Sequence, residues 1–338
     1  MHANLTFDYI RADTLAGALT VLGEHGNGAR IIAGGTELLT NMKQHALAPK
    51  VLIDIESIPE LKGIKVEADA ITIGARTPLR EIERSNQVKE GTGLLAEAIG
   101  SIATVQIRNL GTIGGNICQT VKCPFFNQSH INLFMREAIE PCRQKGGKVC
   151  HAAGIDSLTH SVMGKPVNGC VATTASDLAA TLMALGAQVG IAGPDGKSRT
   201  SVEDFIVGGG RTSLKDNEIL THVIVPLMPK GARGRYLKYA HSTRNFPILS
   251  LAVILHGTGD THATLVIGGI CPTPLRLVSV EDTIRNGRTA PKDIGDAFRQ
   301  DVKGAREKGE ESAYKLKRAQ IMVQDVVQGL LDLEKPPA

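Results

Sequence analysis

Three glycines and a threonine stand close together in residues 107–116, which read Ile-Arg-Asn-Leu-Gly-Thr-Ile-Gly-Gly-Asn. A backbone with so few side chains can turn tightly and point successive N–H groups at one anion. Thr112 and Asn116 add short polar side chains within hydrogen-bonding reach. The stretch therefore suits a pyrophosphate, although a single glycine-rich loop is more often an ordinary tight turn.

A second glycine motif favours the binding interpretation. Residues 31–39 contain a short apolar run, the pair Gly34-Gly35, a threonine and then a helical pattern. A strand followed by a glycine turn and a helix start offers N–H groups and a positive dipole end to phosphate. Neither motif is a Rossmann fingerprint or a Walker loop. Residues 193–198 have only two residues between their glycines, where a Walker loop needs four, so we predict a hairpin turn there.

Together the two motifs resemble those of the flavin-binding subunit in the molybdenum hydroxylase (xanthine dehydrogenase) family. Further pieces follow in that family's order, namely Ala175-Ser176-Asp177-Leu178, Glu218-Ile219-Leu220, Lys238 on a strand and residues 269–276. The resemblance covers nearly the whole chain except about fifty residues after Gln119. A cysteine-bearing insert at this place is similar to that of 4-hydroxybenzoyl-CoA reductase, whose flavin subunit carries an extra [4Fe-4S] cluster.

The resemblance implies one bound FAD, with its pyrophosphate on the two glycine motifs. Asp177 is expected near the ribityl or sugar hydroxyls, and Leu220 and Lys238 are expected on the isoalloxazine side. Without the resemblance, Asp177 suits a helix N-cap and Lys238 an exposed strand lysine. The predicted cofactor-binding residues are Ile32, Ala33, Gly34, Gly35, Thr36, Glu37, Leu38, Asn109, Gly111, Thr112, Ile113, Gly114, Gly115, Asn116, Asp177, Leu220 and Lys238.

Four of the six cysteines lie within residues 120–170. Soft thiolates suit iron–sulfur clusters and zinc, and the C-x-x-C knuckles usual in structural zinc sites are absent. Spacing alone leaves the choice open. The resemblance implies that Cys123, Cys142, Cys150 and Cys170 bind a [4Fe-4S] cluster. The last gap is longer than that resemblance leads us to expect, so Cys118 is an alternative fourth ligand.

The charge pattern bears on partners. In residues 120–170 six basic residues face three acidic ones, a local excess of +3, while the whole chain carries only +4. A local excess would offset an anionic cluster and steer an acidic ferredoxin, although a solvated loop surface has the same composition. The small overall charge provides no basic stripe for nucleic acid.

No constellation that would transform a substrate is visible. Metalloprotease histidine spacing and a nucleophile elbow are both absent. We therefore predict an electron-transfer subunit whose substrate is handled by another chain. The resemblance implies a small [2Fe-2S] subunit and a large molybdenum-cofactor subunit as partners, in a dimer of heterotrimers. It also implies ferredoxin as an electron carrier and reductive dehydroxylation of an aromatic acyl-CoA as the reaction.

Three alternatives stay open at this point. The chain would equally suit a xanthine dehydrogenase-like hydroxylase in which electrons flow outward. A stand-alone flavin reductase of similar fold should not need the insert. A zinc-stapled assembly subunit would have lost its flavin, and the intact glycine motifs argue against that alternative.

The element pattern predicts an α+β chain. A two-part α/β FAD-binding domain of the PCMH type is expected in residues 1–228, with the iron–sulfur insert at 120–170. A smaller α+β domain, similar to the C-terminal domain of CO dehydrogenase flavoproteins, is expected in residues 229–338, after a linker at 229–234. No signal peptide or membrane-spanning run of ~18 apolar residues is visible, so a cytoplasmic protein is expected.

Overall fold

The computed structural model describes residues 6–127, 140–257 and 261–332. Helices and strands are both abundant, and the strands of these ranges form sheets of three, five, four and two strands. The predicted α+β class is confirmed. No helix in the described part of the chain is long and apolar enough to cross a membrane.

The N-terminal unit is a small parallel sheet with the order β1-β3-β2. Its central strand β3 is buried at every position, as expected for a parallel strand covered on both faces. The elements of this unit are β1 (Asp8–Arg11), α1 (Leu15–His25), β2 (Ala29–Ile32), α2 (Leu38–Lys43) and β3 (Val51–Asp54). The first glycine motif lies between β2 and α2, so the predicted order of strand, glycine turn and helix is confirmed.

An antiparallel sheet with the order β4-β5-β10-β6-β7 forms the centre of the molecule. Its strands are β4 (Ile64–Val66), β5 (Ala70–Gly74), β6 (Gln188–Gly193), β7 (Gly196–Ser201) and β10 (Ile219–Pro226). Gly193 pairs with Gly196 across the β6–β7 turn, which confirms the predicted hairpin. The helices that follow in this part are α3 (Leu79–Arg84), α4 (Asn86–Gly100), α5 (Val105–Leu110), α6 (Ile113–Ile117), α7 (Leu178–Ala184) and α8 (Val202–Phe205).

The second glycine motif is not the open loop that its composition suggested. It contains the end of α5 and most of α6. Thr104 caps α5 by accepting a hydrogen bond from the Ile107 N–H, and Thr112 caps α6 by accepting one from the Gly115 N–H. Threonine caps of this kind stabilise a helix start, and they outweigh the low helix propensity of the glycines.

The C-terminal part contains a four-stranded antiparallel sheet with the order β11-β12-β13-β14. A short two-stranded ribbon precedes it. The elements are β8 (Ile206–Gly208), β9 (Arg211–Thr212), β11 (Arg233–Tyr239), β12 (Leu249–His256), β13 (His262–Gly268), β14 (Leu275–Arg276), α9 (Val278–Arg285), α10 (Pro291–Asp301) and α11 (Glu310–Asp332). The sequence prediction missed α10, a mainly polar helix that begins at a proline.

The C-terminal sheet contributes to two hydrophobic cores. Leu251 and Leu255 of β12 pack with Phe298 and the helices of the C-terminal part. The alternate residues Ala252 and Ile254 belong to the large core of the central sheet. Side chains of a strand alternate between the two faces of its sheet, so β12 joins both cores.

The described parts of the insert, residues 120–127 and 140–170, have little regular structure beyond one short turn of helix at Arg143–Lys145. The insert nevertheless docks on the start of α11. The Asp156 carboxylate accepts hydrogen bonds from the N–H groups of Glu311 and Ser312, at 2.9 and 3.0 Å. The carbonyl of His160 accepts a bond from Lys315 Nζ at 2.9 Å.

A buried carboxylate of α9 contacts strands β13 and β14 of the C-terminal sheet, and these contacts lead to a stability prediction. Glu281 is 2% exposed. Its carboxylate accepts hydrogen bonds from two side-chain nitrogens of Arg276 and from the backbone N–H of Leu265. The change Arg276→Met leaves this carboxylate without its cation, so we expect unfolding to become easier by about 2 kcal/mol. The measurement is urea denaturation followed by circular dichroism.

The matched control is Arg285→Met on α9, the helix that carries Glu281. Arg285 pairs with Asp282, and both side chains are about half exposed. Such a surface pair contributes at most about 0.5 kcal/mol. Equal losses of stability in the two variants would contradict the role given to Arg276.

Candidate functional site

The two glycine motifs meet in the structure. A Cβ atom on Gly34 would lie only 1.8 Å from the carbonyl oxygen of Leu110, so the two backbones touch where only glycine fits. A Cβ atom on Gly111 would lie 3.4 Å from the hydroxyl oxygen of Thr36. The motifs therefore form one surface although about seventy-five residues separate them in the sequence.

The motifs differ in the N–H groups that they leave available. Among the described residues, the N–H groups of Gly35, Thr36 and Glu37 donate no hydrogen bond. In the second motif, the Gly114 N–H donates to the Ala75 carbonyl at 2.9 Å, and the Asn116 N–H donates to the Thr112 carbonyl at the same distance. The first motif therefore offers backbone donors to an anion. In the second motif these N–H groups already bond to protein carbonyls, so its main contribution is close packing against the first motif.

A chain of polar contacts runs from the second motif to the C-terminal sheet. The Ser176 hydroxyl donates to Asn116 Oδ1 at 2.7 Å, and the neighbouring carboxylate of Asp177 lies 2.7 Å from Lys238 Nζ. Lys238 also donates to the Ser101 carbonyl at 3.1 Å. Burial raises the pKa of Asp177, and the Lys238 ammonium opposes that rise.

This buried ion pair argues against the two simpler interpretations, in which Asp177 is only a helix N-cap and Lys238 is only an exposed strand lysine. Asp177 stands at the N-cap position of α7, but its carboxylate makes no capping bond. Lys238 is not an exposed strand lysine, because its side chain is 7% exposed. A charge pair kept this far from water is a candidate functional feature, since burying it costs more than it gains in stability.

A cavity of about 870 Å³ opens beside Lys238. It lies between the segment from α4 to α5 and the strand β11 with the residues that follow it. Among its lining residues are Ser101, Gln106, Arg108, Tyr236, Lys238 and Arg244. The volume is typical of a ligand site. Helix α5 lines this cavity, and its last residue Leu110 touches Gly34, so the helix connects the cavity to the first motif.

The remaining predicted cofactor residues differ in how deeply they are buried. Leu220 is buried, and its side chain lies 3.2 Å from where a Cβ atom on Gly114 would be. Ile32 and Ile113 are also buried, whereas Asn109 is exposed on α5. Ala33 and Leu38 are half-buried beside the first glycine pair.

The Glu37 carboxylate ties the first motif to the insert. Its Oε1 atom accepts hydrogen bonds from the Thr120 N–H at 3.0 Å, from the Thr120 hydroxyl and from Lys122 Nζ at 2.9 Å. Burial alone would raise the pKa of Glu37, but the Lys122 ammonium and the Thr120 hydroxyl outweigh it, and the pKa is lowered. The sequence pattern of the first motif did not indicate that Glu37 also binds the insert.

The four cysteines of the insert come together. Cys123, Cys142, Cys150 and Cys170 all line one small cavity of about 10 Å³, which has room for roughly one water molecule. All six cysteines of the chain are free thiols. Cys118 lies apart, against the large core and near Glu37, where burial raises its pKa to about 12.

Tight turns place these cysteines. A Cβ atom on Gly147 would lie 1.5 Å from the Pro141 carbonyl oxygen, so the segment between Cys142 and Cys150 folds back closely on itself. Asn168 and Gly169 both have positive φ angles, 48° and 74°, in the turn that pairs Val167 with Cys170. Asn-Gly is the preferred pair for such a turn, and this signal was overlooked in the sequence.

Polar groups surround two of the thiols. Burial raises the pKa of Cys123 to about 11, while the backbone N–H groups of Phe125 and Phe126 lower it. Burial also raises the pKa of Cys170, and the Ala172 N–H and the Gln144 amide oppose this. Donors near sulfur favour the thiolate form that metals require.

His160 also belongs to this region. Its Nε2 atom lies 3.7 Å from Cys123 Sγ, and its side chain is almost completely buried. Burial lowers the pKa of His160, and Lys308 and Lys315 lower it further. In the described residues, no group of three or more His, Cys, Asp or Glu side chains is arranged to hold a single metal ion.

The lowered pKa of Glu37 leads to a prediction about acid stability. A carboxylate with a lowered folded-state pKa stabilises the fold above its ordinary value of 4.5, and this contribution disappears as pH falls through the folded-state value. We expect Glu37→Gln to lose about 1–2 kcal/mol of unfolding free energy at neutral pH and much less at about pH 3. Urea denaturation at both pH values is the measurement.

An exposed carboxylate in α1 provides the control, because Glu24 lies at the surface. Glu24→Gln should change the unfolding free energy by less than about 0.5 kcal/mol. A loss in Glu37→Gln that is the same at both pH values would contradict the proposed ion pair.

Comparison with known proteins places these features in a family. Residues 5–228 match the family described as "FAD binding domain in molybdopterin dehydrogenase". The chain is 30% identical to the aldehyde oxidoreductase FAD-binding subunit PaoB of Escherichia coli (strain K12), over 85% of this chain and 88% of that protein. It is 29% identical to the carbon monoxide dehydrogenase medium chain of Hydrogenophaga pseudoflava, over 80% and 77% of the two chains.

Solved structures agree. A chain of carbon monoxide dehydrogenase from Hydrogenophaga pseudoflava superimposes with a TM-score of 0.73 at 27% identity, covering 95% of each chain. A chain of quinoline 2-oxidoreductase from Pseudomonas putida 86 has the same fold, with a TM-score of 0.74 at 20% identity. The family resemblance predicted from the glycine motifs is confirmed, and this chain belongs to the FAD-binding medium subunits of the molybdenum hydroxylase family.

Proposed function

We propose that this chain is the electron-transfer subunit of a molybdenum-dependent oxidoreductase and carries both FAD and one [4Fe-4S] cluster. The observation that supports the second group is the meeting of Cys123, Cys142, Cys150 and Cys170 around one cavity. Four cysteine thiolates are the usual ligands of such a cluster. When bound, it would supply one-electron transfer beside the flavin.

Ligation of zinc or of a cluster would require these thiols to move. The described residues contain no group of three or more His, Cys, Asp or Glu side chains already arranged to hold a metal ion. In a cubane each thiolate binds a different iron atom, so the sulfurs surround a larger volume. The cavity is small, so a four-iron core would push the turns around Cys142 and Cys170 outward.

The contacts of Glu37 support a short distance between cluster and flavin. Thr120, which Glu37 holds through two hydrogen bonds, precedes Cys123 by three residues. Glu37 itself follows the glycine pair of the first motif. One carboxylate therefore fixes the start of the cysteine segment to the loop that we assign to the pyrophosphate.

We assign the parts of FAD to the surfaces described above. The available N–H groups of Gly35, Thr36 and Glu37 hold the pyrophosphate, as the positive ends of backbone dipoles commonly do. The cavity beside Lys238 would take the isoalloxazine side, where the Lys238 ammonium would favour negative charge on the ring. Asp177 keeps that lysine in place and accepts hydrogen bonds from flavin hydroxyl groups.

The substrate is handled by other chains in this proposal. The relatives are named as medium chains or FAD-binding subunits, and no substrate-transforming constellation is visible in the sequence. We propose a small [2Fe-2S] subunit and a large molybdenum-cofactor subunit as partners, in a dimer of heterotrimers. Electrons would enter from ferredoxin and drive reductive dehydroxylation of an aromatic acyl-CoA, as in 4-hydroxybenzoyl-CoA reductase.

The surface of the insert supports an acidic carrier. Arg143 and Lys148 are exposed beside the cysteines, and Lys122 contacts the ring of the half-exposed Phe246 at 4.8 Å. Positive charge at this place would attract an acidic ferredoxin. The competing proposal is a hydroxylase with outward electron flow, and reduction of the purified complex by ferredoxin distinguishes the two.

Gly34→Ala tests the FAD assignment. The added Cβ atom would meet the Leu110 carbonyl oxygen at 1.8 Å and force the two motifs apart. We expect FAD affinity to fall at least about tenfold, a loss of about 1.4 kcal/mol or more. The flavin absorbance of the purified protein and titration with FAD are the measurements.

The control for this variant is Gly23→Ala in α1, where an added Cβ atom meets nothing within 4 Å. This change should leave the flavin content unaltered. Normal FAD affinity in Gly34→Ala would refute the assignment of the pyrophosphate to the meeting point of the motifs.

Cysteine variants test the cluster. We expect Cys142→Ser and Cys170→Ser to lose iron while keeping FAD, because both thiols line the cavity. Cys118→Ser and Cys271→Ser should keep four irons, because neither side chain lines it. Iron, zinc and sulfide analysis after anaerobic purification, with EPR of the reduced protein, is the measurement.

Two results would contradict parts of this proposal. Iron retained in Cys170→Ser and lost in Cys118→Ser would leave the cluster in place but move its fourth ligand to Cys118. Zinc in place of iron in the unmodified protein would overturn the cluster and make the insert a structural staple.

A further inference from the structure

One buried side chain among the cysteines has no task in the function proposed so far. His160 is 3% exposed, and its Nε2 atom lies 3.7 Å from Cys123 Sγ. Its Nδ1 atom is buried and makes no hydrogen bond among the described residues, although the Ile155 carbonyl lies near enough to the ring to oppose the lowering of its pKa. A buried polar atom without a partner costs free energy, so the position of this ring calls for an explanation.

The backbone around His160 is held at both of its polar groups. Its N–H donates to the Ser157 carbonyl at 3.1 Å, and its carbonyl accepts from Lys315 Nζ at 2.9 Å. Lys315 is completely buried on α11. His160 also pairs in a β-bridge with Ala172, two residues beyond Cys170. The ring is therefore fixed between the cysteine turns and the C-terminal helix.

The partners of the ring determine which nitrogen carries the hydrogen. A thiolate bound to iron can only accept a hydrogen bond. The contact with Cys123 then requires the hydrogen on Nε2, and Nδ1 keeps a bare lone pair. This tautomer leaves a weaker acceptor unpaired and avoids a buried unpaired donor.

A donor at this sulfur would change the redox properties of the cluster. Reduction adds one negative charge to the cluster and its thiolates. A hydrogen bond to a ligand sulfur stabilises the form with more negative charge, and such bonds are among the factors that set cluster potentials.

We propose that His160 is a positioning residue that donates an N–H···S hydrogen bond to Cys123 and thereby raises the reduction potential of the cluster. The inference rests on the proposed [4Fe-4S] site. The ring is not a ligand: it acts on the iron through the cysteine sulfur, and the Lys315 contact keeps it in place.

The experiment is a redox titration of the purified full chain, followed by the EPR signal of the reduced cluster. Only the extra strength of this hydrogen bond in the reduced cluster changes the potential. In His160→Met we therefore expect the ratio of reduced to oxidised cluster at a fixed potential to fall about threefold to tenfold, a shift of about 28–59 mV for one electron. His160→Gln places an amide donor where Nε2 lies and should restore most of the potential.

His151 provides the matched control. It lines the cavity of the four cysteines, and its ring lies tilted beside that of Phe125, with 5.6 Å between the ring centroids. Its Nε2 atom lies 2.7 Å from the Glu140 carbonyl oxygen, so that N–H is already engaged. His151→Met should leave the midpoint potential unchanged.

A second measurement needs no substitution. Pulsed EPR of the unmodified protein with ¹⁵N-labelled histidine should show weak coupling from one imidazole nitrogen, as a hydrogen-bonded ring gives. Strong coupling would show that a histidine is an iron ligand and would overturn the inference if it disappeared in His160→Met. Absence of coupling would overturn it as well.

The results separate this inference from the proposed function. A normal iron content with an unchanged potential in His160→Met overturns the role of His160 and leaves the cluster in place. Absence of iron from the unmodified protein overturns the proposed function itself. A lowered potential in His160→Met that returns in His160→Gln supports the hydrogen bond.

Discussion

The placement of both candidate sites depends on one partly buried carboxylate. Glu37 accepts hydrogen bonds from Thr120 and Lys122, and so it anchors the start of the insert to the first glycine motif. Its low pKa keeps it charged in neutral solution, so the attachment does not change there. The distance between the two sites is consequently fixed by local chemistry, although the residues involved are more than eighty positions apart.

Much of the fold could be predicted from the sequence, because many of its strands and turns are indicated by short local patterns of residues. Apolar strands, the hairpin at Gly193–Gly196 and the two glycine motifs were all recognisable from residue type and spacing. The helices α5 and α6 were not, because their caps Thr104 and Thr112 outweigh an unfavourable composition. In α4, Thr92 interrupts the helical backbone with a non-helical φ of −154°, which its residue type does not indicate.

Residue type and spacing suggested candidate members of the two sites, but they gave no information about the contacts between those residues. Residue types identified four cysteines, and the structure brings those four to one cavity. Which N–H groups of the glycine motifs remain available, and which side chains lie behind the thiols, depends on packing between distant segments. The contact between His160 and Cys123 depends on such packing, since nothing near His160 along the chain indicates it. The turn at Asn168-Gly169, in contrast, could have been predicted from its residue types.

The burial of β12 on both faces has a consequence for the movement of electrons. One face of this strand belongs to the core of the central sheet and the other to the core of the C-terminal helices. A hinge between the two parts would have to expose both cores at once. Tunnelling rates fall steeply with the gap between redox centres. In the function proposed above, such a frame would set the gap between flavin and cluster during folding, so that electron transfer would not require a domain movement.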